Sequence, residues 1–165
     1  CVFVLAADAR EDRGGLLPEI GVGMGGDDHA QVADPRDLRG IEPASIDFAF
    51  ASNLAEHLTK EEFSSLLQQL RQKLKPGGTL NLLQPNYRFA YREYFDDYTH
   101  VTVYSDRSLC DFLAANGFRV LECRPRFLPL TVKSRLPVSG LLIRLYILSP
   151  WKILGKLMLV RCTPA

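Results

Sequence analysis

The side chains best suited to chemistry fall in two short stretches far apart in the chain. The first is Ser52-Asn53-Leu54-Ala55-Glu56-His57-Leu58, in which an amide, a carboxylate and an imidazole follow one another closely. The second is Tyr87-Arg88-Phe89-Ala90-Tyr91-Arg92-Glu93-Tyr94-Phe95-Asp96-Asp97-Tyr98-Thr99-His100. Imidazoles exchange protons near neutral pH, so His57 and His100 are candidates for acid–base work. The guanidinium groups of Arg88 and Arg92 can clamp an anion, and the tyrosines can stack on a ring or a sugar. Each feature also has a plainer reading. Asn53 can be a loop hydrogen-bonder and His57 a packing or capping residue at a helix start. The tyrosine-rich run can be a lid packed by its own aromatics, with Asp96 and Asp97 paired to the arginines.

The cysteines narrow the field. Cys1, Cys110, Cys123 and Cys162 are widely spaced, with no CxxC or CxxH pattern. No zinc site, no other metal and no disulfide scaffold is expected from them. Cys110 and Cys123 read as small core residues in a reducing, cytoplasmic setting.

The elements that must position these groups are legible in the apolar pattern. Val2–Ala7 reads as a short buried strand, and residues 8–45 as loops with one short strand near Ala30–Ala33. Ile46–Ala51 is apolar enough for a strand covered on both faces. Thr59 is an N-cap, with Glu61 and Glu62 in the first turn where the helix dipole favours anions. Phe63, Leu66, Leu67, Leu70 and Leu74 recur at three- and four-residue steps, predicting an amphipathic helix that Pro76-Gly77-Gly78 stops. Thr79–Leu83 is the next strand, so Ile46–Leu83 forms a βαβ unit with parallel strands. A long loop over 84–104 leads to a second helix, which starts at Ser105, carries Leu109, Phe112 and Leu113, and closes at Asn116-Gly117. Phe118–Cys123 and Leu157–Val160 are the last strands, with a basic, apolar insertion over 126–150 between them. This is an α/β pattern with a mainly parallel sheet.

Of the 165 residues, 20 are Lys or Arg and 19 are Asp or Glu, a net charge of +1. That sum hides a split. Residues 1–118 hold 11 basic and 18 acidic side chains; residues 119–165 hold 9 basic ones and a single acid, Glu122. A uniformly basic nucleic-acid binder is excluded, and no nucleic-acid-binding motif is present. The first residues lack a basic segment, so no signal peptide is expected. Between Val138 and Val160 the apolar run is broken by Arg144, Pro150, Lys152 and Lys156. A charge at a bilayer centre costs about 2.5–3.5 kcal/mol, which argues against a membrane-spanning helix. Val138, Leu141, Leu142, Leu145 and Leu148 nevertheless share one helical face. The segment 138–148 therefore reads either as a surface contact with anionic lipid or as a helix covering the sheet.

In open α/β sheets, ligands bind outside the carboxyl ends of the strands. There the sequence resembles a class I S-adenosylmethionine-dependent methyltransferase of the type 11 domain kind. The matching residues are Asp47-Phe48-Ala49-Phe50-Ala51-Ser52-Asn53, then Glu56-His57-Leu58, Leu74-Lys75-Pro76-Gly77-Gly78-Thr79-Leu80 and Asn116-Gly117-Phe118. The resemblance implies a Rossmann-like fold with an antiparallel C-terminal strand, S-adenosylmethionine as cofactor, and a small-molecule, sugar or lipid-linked methyl acceptor. It implies that Asp34 accepts a hydrogen bond from the adenine amino group, and that Ser52 and Asn53 line the methionine side. Glu56 and His57 fall on the acceptor side, joined there by Asn86, Tyr87, Arg88 and Arg92. Methyl transfer is an in-line displacement in which the enzyme positions the acceptor and, where needed, removes its proton. His100 is then the candidate catalytic base.

The beginning of the chain departs from this pattern. The family places a glycine-rich turn after its first strand, leading into a helix. Gly21-Val22-Gly23-Met24-Gly25-Gly26 offers the glycines without a preceding strand. The more economical reading makes Val2–Ala7 the family's second strand and Asp8 the ribose-binding acid, with the first βα unit missing from a single, N-terminally truncated domain over 1–165. Two functions follow: an enzyme, or a degenerate or partner-dependent binding module of the same fold.

Overall fold

A computed structural model describes residues 2–6, 30–32, 37–129 and 155–165. Six strands form one sheet in the order β2-β1-β3-β4-β6-β5. They are β1 (Val2–Ala6), β2 (Ala30–Val32), β3 (Ile46–Ser52), β4 (Leu74–Pro85), β5 (Phe118–Pro129) and β6 (Gly155–Pro164). The helices are α1 (Lys60–Lys73), the short α2 (Tyr87–Ala90) and α3 (Asp106–Ala115). The architecture is α/β and Rossmann-like, a mixed sheet with flanking helices.

The sense of the strands refines the expectation of a mainly parallel sheet. β3 and β4 pair in parallel, as the βαβ reading requires, and every other pairing is antiparallel. β2, β3, β4 and β5 nonetheless point the same way, and β1 and β6 run against them. The expected antiparallel C-terminal strand is β6, inserted between β4 and β5. β1 lies directly beside β3. Its apolar composition is suited to burial on both faces, and that requirement is the same for either strand direction.

α1 forms where its cap and its stripe predict. Thr59 Oγ1 accepts from the Glu62 N–H at 3.2 Å, and Glu62 Oε2 accepts from the Thr59 N–H at 2.9 Å. This reciprocal pair satisfies two donors left free at the helix start. Phe63, Leu66, Leu67 and Leu70 are buried, each worth about 1.5–3 kcal/mol relative to exposure. They share one core with Ile46, Ala49 and Ala51 of β3, Leu80 and Leu82 of β4, and Leu109 and Leu113 of α3.

Pro76-Gly77-Gly78 does not stop α1, which ends at Lys73 and passes directly into β4. Instead the triplet forms an outward step where the pairing with β3 shifts, between Ile46↔Leu74 and Phe48↔Thr79. Lys75 Nζ, at the step, meets Asp47 Oδ2 at 2.7 Å. Gly77 takes φ 82°, a conformation that disfavours side chains. A Cβ on Gly78 would stand 2.9 Å from the Ile46 carbonyl oxygen, so the step also needs glycine for close approach. β5 runs on through Pro129, so the start of the expected 126–150 insertion is strand. Asp8, Asp34, the glycine run at 21–26 and the segment 138–148 lie outside the described residues. Among the described residues, no helix is long and apolar enough to cross a membrane.

Candidate active site

Ser52 of β3 pairs with Leu83 of β4, so the two parallel strands deliver their carboxyl ends to the same edge of the sheet. Immediately past β3 the chain turns at Asn53, whose φ of 48° lies in the left-handed region that asparagine tolerates better than most side chains. The Asn53 N–H donates to the Leu83 carbonyl at 2.8 Å, which ties this turn to β4. Its Oδ1 is buried and accepts no hydrogen bond among the described residues. Gln84 Nε2, at the end of β4, is likewise buried and unpartnered.

A single turn of 3-10 helix, Ala55–His57, follows. Leu54, Ala55 and Leu58 enter the core and fix the backbone that carries Glu56 and His57. Glu56 is 0 % exposed, and neither carboxylate oxygen is hydrogen-bonded to another described residue. Burial pushes its carboxyl up to about 7.

The 84–104 loop folds back onto this turn. The Val101 and Thr102 N–H groups donate to the Glu56 carbonyl at 2.8 and 3.1 Å. Thr102 Oγ1 donates to the Leu58 carbonyl at 2.6 Å. Tyr94, fully buried, donates its hydroxyl to the Thr102 carbonyl at 2.7 Å and packs edge-on against Tyr87 at 5.4 Å. Burial holds its phenol well above the usual range. This strap places His100 beside His57, with ring centroids 4.7 Å apart in a T-shaped pair.

Both imidazoles are held from behind. His57 Nδ1 lies 2.9 Å from Thr99 Oγ1 and 3.3 Å from the Thr99 carbonyl oxygen. Thr99 Oγ1 donates in turn to Asp97 Oδ1 at 2.6 Å. The bonds from Thr99 hold the Asp97 carboxyl below its usual value. His57 is lowered by burial and by the neighbouring His100. His100 Nδ1 bonds the Tyr94 carbonyl, and its Nε2 lies 3.9 Å from Asp97 Oδ2. One ligand-type atom from each of Glu56, His57 and His100 lies within 4.8 Å of the others.

Asn86, Tyr87, Arg88 and Arg92, expected on the acceptor side, are placed differently. Asn86 is 0 % exposed and caps α2. Its Nδ2 donates to Asp106 Oδ1 at 2.9 Å and to the Pro125 carbonyl at 3.1 Å. Its Oδ1 accepts from the Arg88 and Asp106 N–H groups at 3.2 and 3.3 Å. Arg88 Nη1 reaches both Asp106 oxygens at 3.0 Å. Asn86 and Arg88 thus join α2 to α3 rather than presenting free groups, and Asp106 is the residue that sequence reasoning missed. The Ser105 cap fixes Asp106 at the first position of α3, where a carboxylate is favoured. Tyr87 meets Tyr94 edge-on, and Arg92 Nε donates to the exposed Tyr91 hydroxyl at 3.1 Å. Asp97 pairs with Thr99 and faces His100; no bond from Asp97 to either arginine is seen. The lid is packed through Tyr94, while Tyr91, Phe95 and Tyr98 remain exposed.

Comparison with known proteins is consistent with this geometry. A family model described as a methyltransferase domain matches residues 7–123. No match was found among curated protein sequences. Similar solved structures include an S-adenosylmethionine-dependent methyltransferase from Archaeoglobus fulgidus, at 20% identity and a TM-score of 0.57, over 80% of this chain and 66% of that one. A Haloferax volcanii complex between the Trm112 methyltransferase activator and a methyltransferase aligns at 16% identity and 0.56, over 82% and 61%. A Methanosarcina mazei S-adenosylmethionine-dependent methyltransferase aligns at 14% and 0.54, over 80% and 65%. This chain spans less than two thirds of each of those chains. The sheet order, the strand-end site and the match over most of the chain lead to one conclusion: the chain belongs to the methyltransferase domain family, in its class I S-adenosylmethionine-dependent form.

Proposed function

We propose that this chain takes part in S-adenosylmethionine-dependent methyl transfer to a hydroxyl or amine of a small-molecule, sugar or lipid-linked acceptor. The observation that carries the reading is Asn53. A left-handed residue at the carboxyl edge of a sheet, with a buried acceptor atom that no described residue satisfies, suits the donor of a ligand. Asn53 Oδ1 suits the ammonium of a methionine moiety, so Ser52 and Asn53 would hold that part of the cofactor. Bound there, S-adenosylmethionine supplies an activated methyl group. The resemblance assigns its adenine end to Asp34 and its ribose to Asp8.

The chain's own residues then handle the acceptor. The strap through Val101 and Thr102 keeps His57 and His100 over Glu56. The Tyr94 carbonyl only accepts, so His100 Nδ1 keeps its proton and Nε2 is free to take one from the acceptor. The exposed Tyr91, Phe95 and Tyr98 lie in the same loop and offer aromatic faces to a ring, sugar or lipid-linked acceptor.

A partner-dependent form is the second reading. The Haloferax volcanii relative is held by an activator, and a chain that needs one binds cofactor weakly alone. Calorimetric titration of this chain with S-adenosylhomocysteine tests both. Saturable binding, weakened at least tenfold by Asp34→Ala, is expected for a cofactor site with the assigned adenine contact. Unchanged affinity in Asp34→Ala refutes that contact, and no binding at all leaves the partner-dependent form.

A further inference from the structure

We infer that Glu56, His57 and His100 form a binding site for a divalent transition-metal ion of the zinc class. The three groups come from two segments that no cysteine pattern marks, and one ligand atom from each lies within 4.8 Å of the other two. Ligands around a tetrahedral zinc at about 2.0–2.1 Å stand about 3.3 Å apart, so small side-chain movements close the site.

Three observations point to an ion and not only to packing. The first is the state of the imidazoles. His57 Nδ1 faces the Thr99 carbonyl and Thr99 Oγ1, whose own proton goes to Asp97, and His100 Nδ1 faces the Tyr94 carbonyl. Carbonyls only accept, so both Nδ1 atoms carry protons and both lone pairs reside on Nε2. A ligating histidine is oriented in this way, by a bond from its other nitrogen to a carbonyl or carboxylate. The second is Glu56. It is 0 % exposed, and both of its oxygens are buried with no bond to another described residue. A buried carboxylate without a hydrogen bond from any described residue is costly, and a cation bound to it removes that cost. The third is preorganisation. The Glu56 carbonyl is fixed by Val101 and Thr102, and His100 is fixed through Tyr94.

Two nitrogens and one carboxylate suit zinc, cobalt or nickel better than magnesium or calcium, which take oxygen ligands. Three protein ligands also leave a coordination position open, as in catalytic zinc sites. In the loaded protein His100 Nε2 is a ligand, and the ion takes over from it the task of making an acceptor hydroxyl more acidic. Metal binding itself does not depend on the methyl-transfer reading, and the two are measured separately.

The test uses the full chain, stripped with chelator and titrated with Zn2+ by calorimetry and with Co2+ by visible absorption. One equivalent is expected to bind with micromolar affinity or better, and Glu56→Gln or His57→Ala should weaken it at least tenfold. Absence of saturable binding overturns the inference. So does unchanged affinity in both variants, or a thiolate-to-cobalt charge-transfer band, which would place the ion on cysteines. Because a variant can fail to fold, the unmutated chain provides a second measurement. With only three histidines in the sequence, nitrogen-detected imidazole spectra should show His57 and His100 Nε2 shifting with one equivalent of Zn2+ while His29 stays in place. Movement of His29 alone, or of none, counts against the site whatever cofactor binding shows.

Discussion

The ends of β3 and β4 lie side by side, each followed by an asparagine, and the two asparagines obey opposite rules. Asn86, after β4, makes four side-chain hydrogen bonds: to Asp106 Oδ1, to the Pro125 carbonyl, and from the Arg88 and Asp106 N–H groups. Asn53, after β3, sits in a left-handed turn with a buried Oδ1 that nothing in the described residues satisfies. The same residue type thus serves as a fully used structural joint in one place and keeps an acceptor that no described residue satisfies in the other. Buried polar groups are normally paired; Asn86 follows that rule, and Asn53 Oδ1 departs from it among the described residues. The divide continues outward. Beyond β4 the buried Asp106 carboxylate is paired with the half-exposed Arg88, whereas beyond β3 the Glu56 carboxylate has no hydrogen bond from a described residue.

The strongest way to break this contrast is Asn86→Ala. It strands the Pro125 carbonyl and the Asp106 N–H and removes a donor from the Asp106 carboxylate, at about 1–3 kcal/mol for each buried group left unsatisfied. A loss of at least about 3 kcal/mol in urea unfolding is expected. A loss below about 1 kcal/mol would mean that the joint is not structural.

Asn53→Gly comes next and should behave oppositely. Glycine accepts the positive φ without strain, so stability should stay within about 1 kcal/mol. S-adenosylhomocysteine affinity should fall about tenfold, about 1.4 kcal/mol. Equal affinity in the two proteins would overturn the cofactor contact at Asn53.

The smallest effect concerns acid. Burial alone would raise the Asp106 carboxyl, but the bonds from Asn86 and Arg88 outweigh it and hold the group below its usual value. A carboxyl that is lowered on folding adds stability above its unfolded pKa of about 3.9. That stability is lost as pH falls through the lower, folded value. Urea midpoints measured from neutral pH down to pH 3 should therefore drop most steeply at the acid end, and less steeply in Arg88→Met. Identical slopes would show that the pair contributes nothing.

The fold was legible where local signals were strong. Thr59, Glu62 and the Phe63–Leu70 stripe describe α1 because caps and periodicity act within a few residues of one another. The Ser105 start of α3 and the parallel β3–β4 pair were readable for the same reason. The direction of β1 was not, because an apolar strand carries no mark of its sense. Pro76-Gly77-Gly78 misled because a helix stop and an outward step in a strand use the same residues. The α2 cap at Asn86 had a local signal, an asparagine after Pro85 opening a short apolar turn, but its bond to Asp106 crosses twenty positions. The convergence of His57 and His100 rests on side-chain bonds of Thr99, Thr102 and Tyr94 and, beside them, on bonds between backbone groups, Val101 and Thr102 to Glu56. The backbone bonds are available to any residue type and leave no trace in composition.

Because the two halves of the site are joined by main-chain bonds and by the inward-facing side chains of Thr99 and Thr102, the outward-facing side chains of the strap contribute little to keeping it in register. Val101 and Val103 point into solvent, and only Thr102 between them turns inward. Tyr98, just before the strap, is 93% exposed. Such a strap can exchange its outer residues while Glu56, His57 and His100 stay where they are. The outer surface of the strap and the geometry of the two imidazoles and Glu56 can therefore change independently, so that drift in the first need not erase the second.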